Sequence, residues 1–343
     1  GVVGLSTAIA AAKSGASRVA VMDPLAAGND VWASGDETRL FRLSYFEHPS
    51  YVPLLRRAIE GWKSLGPDLL VQCGNLYGGA LDSPLVAGSL AAAREQDLTF
   101  DLLTPSVVAE RYPQFAIADD EVGYFEAEGG FLRAREATMA LAAAATALGV
   151  TWLHENVTAV EPVGDRWSVG SHTASQVIVA AGHHTSSLVM ALSPFLSSRE
   201  HFVFWLDSLV STEGGPGFGF MNGAGEMLYG FPSQSVGQGI KVGGHCDVAD
   251  GTYEDQLATI TELTSRFLPG AGKTVLRSRS CFYDNSPDGN FIIGQIEPGL
   301  SVACGFSGHG YKFGSVIGDV VWQAANAGFP KDLSFLNVAR YLG

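Results

Sequence analysis

The order of apolar and polar positions divides the chain into helices and strands that alternate through its first half. The opening GVVGLSTAIAAAKSG reads as a helix of small residues stopped by Gly15, and Arg18 to Met22 as a strand ending at Asp23. Apolar residues recur at helical spacing from Tyr51 to Leu65. Leu69 to Ala80 reads as strand and turn, Pro84 to Gln96 as a helix, and TPSVVAERYPQF as a short capped helix stopped by Pro113. GYFEAEGGFLRAREATMALAAAATALGV predicts a strand, a Gly-Gly turn and a long Ala-rich helix. Several strands follow, closing on Val177–Ala181 and Gly182, an apolar run suited to a fully buried parallel strand.

The second half has a different rhythm. HFVFWLDSL, GFGFMN, EMLYGFP and GIKVGGHCDV alternate as strands of an antiparallel sheet, so Lys241 and His245, four apart, share a face. Thr252 to Phe267 forms an amphipathic helix. The strand after it carries Cys281 and Tyr283 on one face, with Asp288-Gly289 as the following hairpin turn. Near the end, Leu300 to Ala303 reads as a short strand, and Gly305 to Phe313 (GFSGHGYKF) as a glycine-dense loop opening a helix, with Lys312 projecting at its start. A helix N-terminus offers free N–H groups and suits an anion. The same spacing also suits a tight turn whose glycines only supply positive φ.

Composition narrows the function. A chain of 343 residues with 46% apolar and 16% charged positions is an ordinary globular protein, long enough for roughly two domains. There is no apolar run of membrane-spanning length and no leader pattern, which leaves a cytoplasmic protein as the expectation. A net charge of −14 without a Lys/Arg cluster argues against nucleic acid. Cys73, Cys246, Cys281 and Cys304 are widely spaced, and neither they nor the histidines have metal-ligand rhythm, so no metal site is expected. Cys73 reads as a core thiol, and His183 and His184 as loop histidines.

Two stretches suggest chemistry. Gly1 and Gly4 before the small-residue helix, with Asp23 near the ~20-residue spacing of a ribose partner, look like the back half of a dinucleotide fingerprint. The missing strand and first glycine imply a native start about ten residues earlier, given a typical strand of about 5–6 residues. In DETRLFR, Arg39 and Arg42 lie three apart, on one side of a helical turn. They flank Leu40 and Phe41, which favours at least one buried and therefore partnered arginine.

Taken in order, Gly1–Gly4, Asp23, ETRLFR, VIVAAG, YGFPS, GIKVGGH, SCFYD and GFSGHGYKF resemble the monomeric sarcosine oxidase and N-methyltryptophan oxidase family of flavin amine oxidases, within the D-amino acid oxidase superfamily. The resemblance covers nearly the whole chain, and Cys-x-Tyr followed by GFSGHGxKF is its most discriminating part. It implies an α/β fold: a Rossmann-like FAD domain built from residues 1–75, 140–190 and 287–343, and a mainly antiparallel substrate domain from 76–139 and 191–286. It implies FAD with its pyrophosphate at Gly1 and Gly4, its ribose on Asp23, and a covalent bond from its 8α-methyl to Cys281. Ser34, Thr38, Arg39, Val157, Gly182 and Tyr283 would complete the cofactor contacts, with Gly305, Gly308, His309, Gly310 and Lys312 at the late loop. The helix start after Gly308 would stabilise the anionic reduced flavin.

By the same resemblance, Arg42 and Lys312 hold a substrate carboxylate, Lys241 activates dioxygen at the flavin, and Tyr229 and His245 position the amine and tune its protonation. The implied reaction oxidises a secondary α-amino acid to an imine that hydrolyses, with dioxygen reduced to hydrogen peroxide. Fructosyl amino acids and cyclic imino acids are alternatives, as are an amine dehydrogenase and a non-enzymatic flavin-binding module. The implied partners are an amino acid and dioxygen, in a monomer. Two departures bear on the substrate: the histidine that sarcosine-oxidising members carry before the arginine segment is replaced around Ser34, Gly35 and Asp36, and the YGFPS-to-Lys241 spacing is one residue longer.

Overall fold

The computed structural model describes residues 1–208, 212–233, 237–245 and 251–342. Leu209 and Cys246 to Val248, which the sequence pattern assigns to strands, lie outside the described residues. The fold is mixed α/β. The first helix, Val2–Lys13, has almost no side chains larger than Leu, and this lets it pack closely on three sides. Its neighbours include the Ala-rich helix Ala134–Ala147 and the late helix Ile317–Asn326. At the second contact a Cβ on Gly318 would lie 2.0 Å from the Ser6 carbonyl oxygen, so only glycine permits this approach. One apolar core joins these helices to Val52–Leu65, whose Trp62 is fully buried.

Short sheets flank the first helix. Ala20–Met22 pairs in parallel with Thr151–Leu153, and Val177–Val179 in parallel with Leu300–Cys304. Thr38–Phe41, Gly130–Arg133 and Leu70–Val71 form a three-stranded sheet, and Val160–Val163, Arg166–Val169 and His172–Ala174 another.

Across the cavity stands an eight-stranded sheet. Its order is Ala271–Asn285, Ser197–Ser208, Ile240–His245, Met227–Gly230, Gly217–Met221, Asn75–Ala80, Glu121–Glu126 and Asp101–Leu103. Every neighbouring pair is antiparallel except Gly217–Met221 with Asn75–Ala80. The helix Tyr253–Phe267, fixed by a Thr252/Asp255 capping box, covers its far side together with a second apolar core.

Several sequence expectations are corrected. Arg39 lies on the strand Thr38–Phe41, not on a helical turn: β-branched and aromatic neighbours pair with Gly130–Arg133, and the strand ends just before Arg42. Asp288-Gly289 does not close a hairpin, because the strands on either side of it pair elsewhere, with Ser197–Ser208 and Leu300–Cys304. The glycine loop leads first into the 3-10 turn Tyr311–Phe313, and the α-helix begins only at Ile317, where Ser6 Oγ accepts the Gly318 N–H. That helix start is therefore spent on helix packing. Val177–Val179 is parallel as expected but only partly buried, since one side faces the cavity. His183 and His184 sit in a 3-10 turn, and Cys73 is half-buried.

Candidate active site

Strand register creates the site. Directly opposed residues of neighbouring strands share a face, and so do residues two apart along one strand. Lys241, Gly243 and His245 therefore face one way, and the pairing Tyr229↔Gly243 adds Tyr229. Val203↔Gly243 and Val203↔Arg279 carry the same face to Arg279, Cys281 and Tyr283. Gly243 is required here: a Cβ would come within 2.7 Å of the Tyr229 ring. This face lines a cavity of about 1370 Å³ that runs from the N-terminus of the first helix to the glycine loop, walled opposite by Arg39, Arg42, Gly308 and Lys312.

The centre of the cavity is an ion cluster. Lys241 is buried, and its ammonium donates to Asp36 Oδ2 at 2.5 Å and to the carbonyl and hydroxyl oxygens of Thr38, both at 3.1 Å. Arg39 Nη1 lies 3.4 Å and Arg279 Nη1 3.8 Å from the same carboxylate oxygen. Arg39 also donates to the carbonyls of Ala33, Gly35 and Thr38. Burial would raise the Asp36 carboxyl, but Lys241 and Arg39 hold it down at about 2. Burial also draws Lys241 down to about 8, against the pull of Asp36, so the pair remains charged at neutral pH. Asp36 has φ of +83°, an uncommon conformation for a non-glycine residue, maintained by these contacts.

At the glycine loop two more cations meet. Arg42 is buried and paired with Glu47, and among the described residues Arg42 Nη1 and Glu47 Oε2 have no partner. Lys312 is equally buried, and its ammonium donates to a single acceptor, the His309 carbonyl at 2.8 Å. The two share a platform, with Arg42 4.3 Å and Lys312 5.2 Å from the centre of the Tyr45 ring. The Tyr45 hydroxyl bonds His309 Nδ1 at 2.5 Å, and His309 Nε2 faces the Gly289 carbonyl at 2.9 Å. Nε2 therefore carries a proton, and burial pulls the imidazole down to about 3, which keeps His309 neutral at neutral pH. Burial and the neighbouring Arg42 bring Lys312 down to about 7, while Glu47 opposes them.

The remaining wall is aromatic and neutral. Burial, opposed by Glu47 and aided by Arg42 and Lys312, depresses His245 to about 4, so its imidazole is uncharged at neutral pH. Tyr229 and Tyr283 are hydrogen-bonded through their side chains, and burial pushes Tyr229 up to about 12. Cys281 is half-buried on the cavity wall. Burial pushes its thiol up, while Arg39, Arg279 and Lys241 pull it down without overcoming burial. The electropositive surroundings expected of Cys281 are present, and the net shift favours the thiol.

At the other end of the cavity lie Gly1, Gly4, Asp23, Ser34, Val157 and Gly182, joined near the glycine loop by His309 and Gly310. Ser34 Oγ accepts the Val2 N–H, and Asp23 Oδ1 accepts from Trp32 Nε1 and Leu25 N. Thr38 and Gly305 do not line the cavity: Thr38 supports Lys241, and Gly305 gives its N–H to the buried Asp284. Sequence reasoning did not single out Asp36, Tyr45, Glu47 or Arg279. The demand that a buried arginine be partnered was the available signal for Asp36 and Glu47, although Glu37 is nearer to Arg39 in the chain and pairs with Arg277 instead. An elongated cavity starting at a helix N-terminus, with Asp23 after the next strand and five cations at its far half, fits an extended dinucleotide whose redox end gains negative charge. Among the described residues no group of three or more His, Cys, Asp and Glu is placed to hold a metal ion, and no helix is long and apolar enough to cross a membrane.

Known proteins agree with this geometry. NikD, described as an unusual amino acid oxidase essential for nikkomycin biosynthesis, superposes with a TM-score of 0.81 over 98% of this chain and 95% of its own, at 22% identity. Fructosyl amine:oxygen oxidoreductase (Amadoriase I) of Aspergillus fumigatus gives 0.79 over 98% and 87%, at 18% identity; both likenesses speak to the fold. In sequence, the monomeric sarcosine oxidase of Streptomyces avermitilis is 33% identical over 319 residues, 85% of this chain and 83% of that protein. N-methyl-L-tryptophan oxidase of Yersinia pestis is 31% identical over 329 residues, 89% and 88% of the two chains. The family model described as FAD dependent oxidoreductase matches residues 1–324, and this chain belongs to that family, as an FAD-dependent amine oxidase of the sarcosine and N-methyltryptophan oxidase type.

Proposed function

We propose that the protein oxidises a secondary α-amino acid, an N-methyl or otherwise N-substituted one, at its C–N bond to an imine that hydrolyses, and that dioxygen is reduced to hydrogen peroxide. The observation that carries this reading is the pair of buried cations on Tyr45. Arg42 retains a free Nη1 and Lys312 has one carbonyl acceptor, an arrangement that awaits a carboxylate. We assign FAD to the long cavity, held by the groups around Gly1, Gly4 and Asp23 and by the glycine loop. Its domain is residues 1–75, 140–190 and 287–343 extended back to Gly130, because Gly130–Arg133 pairs with Thr38–Phe41 and the helix Ala134–Ala147 packs on the first helix; the rest of 76–139 with 191–286 is the substrate domain. When bound, FAD supplies the two-electron acceptor.

The protein's own groups have distinct tasks. Arg42 and Lys312 bind the carboxylate and so fix the Cα and nitrogen against the Tyr229–Tyr283 wall. An amine must be neutral to lose electrons, and nearby positive charge disfavours its ammonium form. The two clamp cations thus serve twice, and the neutral His245 adds no charge. Lys241, charged below about pH 8, places a cation where negative charge develops as dioxygen is reduced. Cys281, in reach of the cavity, is the residue to which a covalent flavin bond is assigned.

The cavity wall that carries Tyr229 is largely aromatic, with Met227, Phe231 and Tyr283, and the neutral His245 is the wall group that senses Arg42, Lys312 and Glu47. These surfaces favour an apolar N-substituent or side chain over the hydroxyl-rich sugar of a fructosyl amino acid, whose polar groups would need partners. The direct test is peroxide release from the FAD-loaded protein with N-methyl-L-tryptophan, sarcosine and a fructosyl amino acid. Peroxide from at least one N-methyl amino acid is expected, and peroxide from none of them would reject the reading.

Two further outcomes are expected. Lys312 must be protonated to hold an anion and titrates near 7 when the site is free. The Kd of a simple carboxylate ligand, indole-3-propionate, should therefore rise by up to about tenfold per pH unit above pH 7. In Lys312→Met binding should be weaker below pH 7 and flat over the same range, with the wild type converging on it as pH rises, and calorimetric titration distinguishes the two. Denaturation of the wild type in acid should leave yellow colour in the pellet, whereas Cys281→Ser should release it to the supernatant; equal release from both would remove Cys281 from the assignment.

A further inference from the structure

Glu126 lies on the strand Glu121–Glu126, 2% exposed, and the site described above gives it no task. The pairings Gly219↔Tyr229, Gly219↔Tyr77 and Asn75↔Glu126 put it on the same face of the large sheet as Tyr229. Its carboxylate does not reach the cavity. Instead Oε1 accepts the Leu43 N–H at 3.2 Å and Oε2 the Ser44 N–H at 2.8 Å, the two peptide groups that follow Arg42. Asn75 Nδ2 bonds Glu126 Oε1 at 3.1 Å and the Phe41 carbonyl at 2.7 Å, on the other side of Arg42. The Tyr77 hydroxyl donates to Oε1 at 3.3 Å and also acts electrostatically on Arg42.

The backbone on both sides of Arg42 is thus stapled to the large sheet by one buried carboxylate and its amide neighbour. The arrangement is costly. Glu126 is desolvated, and Asn75 Oδ1 is left without a partner. Space is reserved for it as well: a Cβ on Gly129 would lie 2.2 Å from Asn75 Nδ2, and one on Gly217 would lie 2.4 Å from Asn75 Oδ1. Apolar packing would join the two layers at less cost. What the carboxylate adds is a fixed origin for the Arg42 side chain, which emerges from a segment just past the end of its strand.

We propose that Glu126 is the positioning residue of the carboxylate clamp, holding residues 41–44 so that Arg42 points at the substrate carboxylate while remaining paired with Glu47. This rests on the clamp assigned to Arg42 and Lys312 above. The test compares calorimetric binding of indole-3-propionate and of its amide, indole-3-propionamide, to FAD-loaded wild type and Glu126→Gln of equal flavin content. The wild type should prefer the acid. Glu126→Gln should bind the acid at least tenfold more weakly and the amide within twofold of wild type, a selective loss that a general loosening of the sheet would not give.

Preserved preference for the acid in Glu126→Gln would overturn this inference alone. A wild type that does not distinguish the two ligands would overturn the clamp, and this inference with it. If Glu126→Gln does not accumulate as folded protein, Tyr77→Phe removes one donor to the carboxylate and keeps the ring. It should weaken acid binding at least threefold, and unchanged binding would count against the role.

Discussion

The buried pair between Asp36 and Lys241 ties the large sheet to the loop in front of the arginine strand, and the site is built around it. Each partner is desolvated, so neither is tolerable alone; breaking such a pair from one side typically costs roughly 3–5 kcal/mol. Asp36 meets that demand by collecting Lys241, Arg39 and Arg279 around one oxygen, in a backbone conformation that only this crowd of cations justifies. Lys241 is thereby held charged and oriented on a face otherwise made of aromatic side chains. A sheet one residue out of register would turn Lys241, His245, Cys281 and Tyr283 away together, so pairing and ion cluster specify the same arrangement.

From this centre the cavity divides by charge. Toward the first helix its lining includes Ser34 and Asp23, the end proposed for the adenosine half of FAD. Toward the glycine loop it holds a second pair of cations, Arg42 and Lys312, stacked on Tyr45 and opposed only by Glu47. Positive charge near the reacting nitrogen favours the neutral amine, and positive charge near reduced flavin and dioxygen favours electron flow. One electrostatic theme, cations gathered around buried carboxylates in a low-dielectric pocket, is what the proposed reaction would use for binding and for both of its halves.

Much of this was legible in the sequence. The antiparallel alternation put Lys241 with His245 and Cys281 with Tyr283 on shared faces, and the strand register brings all four onto one face. The capped helix Pro105–Arg111 follows from its leading Thr104, whose hydroxyl takes the free Val107 N–H. What failed was local: DETRLFR has helical charge spacing, but pairing with Gly130–Arg133 imposed a strand. The glycine loop has the look of a helix opening, yet Lys312 sits inside the 3-10 turn Tyr311–Phe313 and the α-helix begins only at Ile317. Asp288-Gly289 has the chemistry of a hairpin turn without adjacent strands to join. The partners of buried charges were the least readable feature, because Asp36–Lys241 and Glu126–Ser44 connect positions far apart in the chain and nothing local announces them.

The most direct measurement is stopped-flow reoxidation of the dithionite-reduced, FAD-loaded protein by dioxygen, wild type against Lys241→Met. If Lys241 is the cation that the Asp36 cluster holds for dioxygen, reoxidation measured per bound FAD should slow by about two orders of magnitude, comparable to loss of one preorganised electrostatic group. An equal rate in the two proteins would contradict the role given to the cluster.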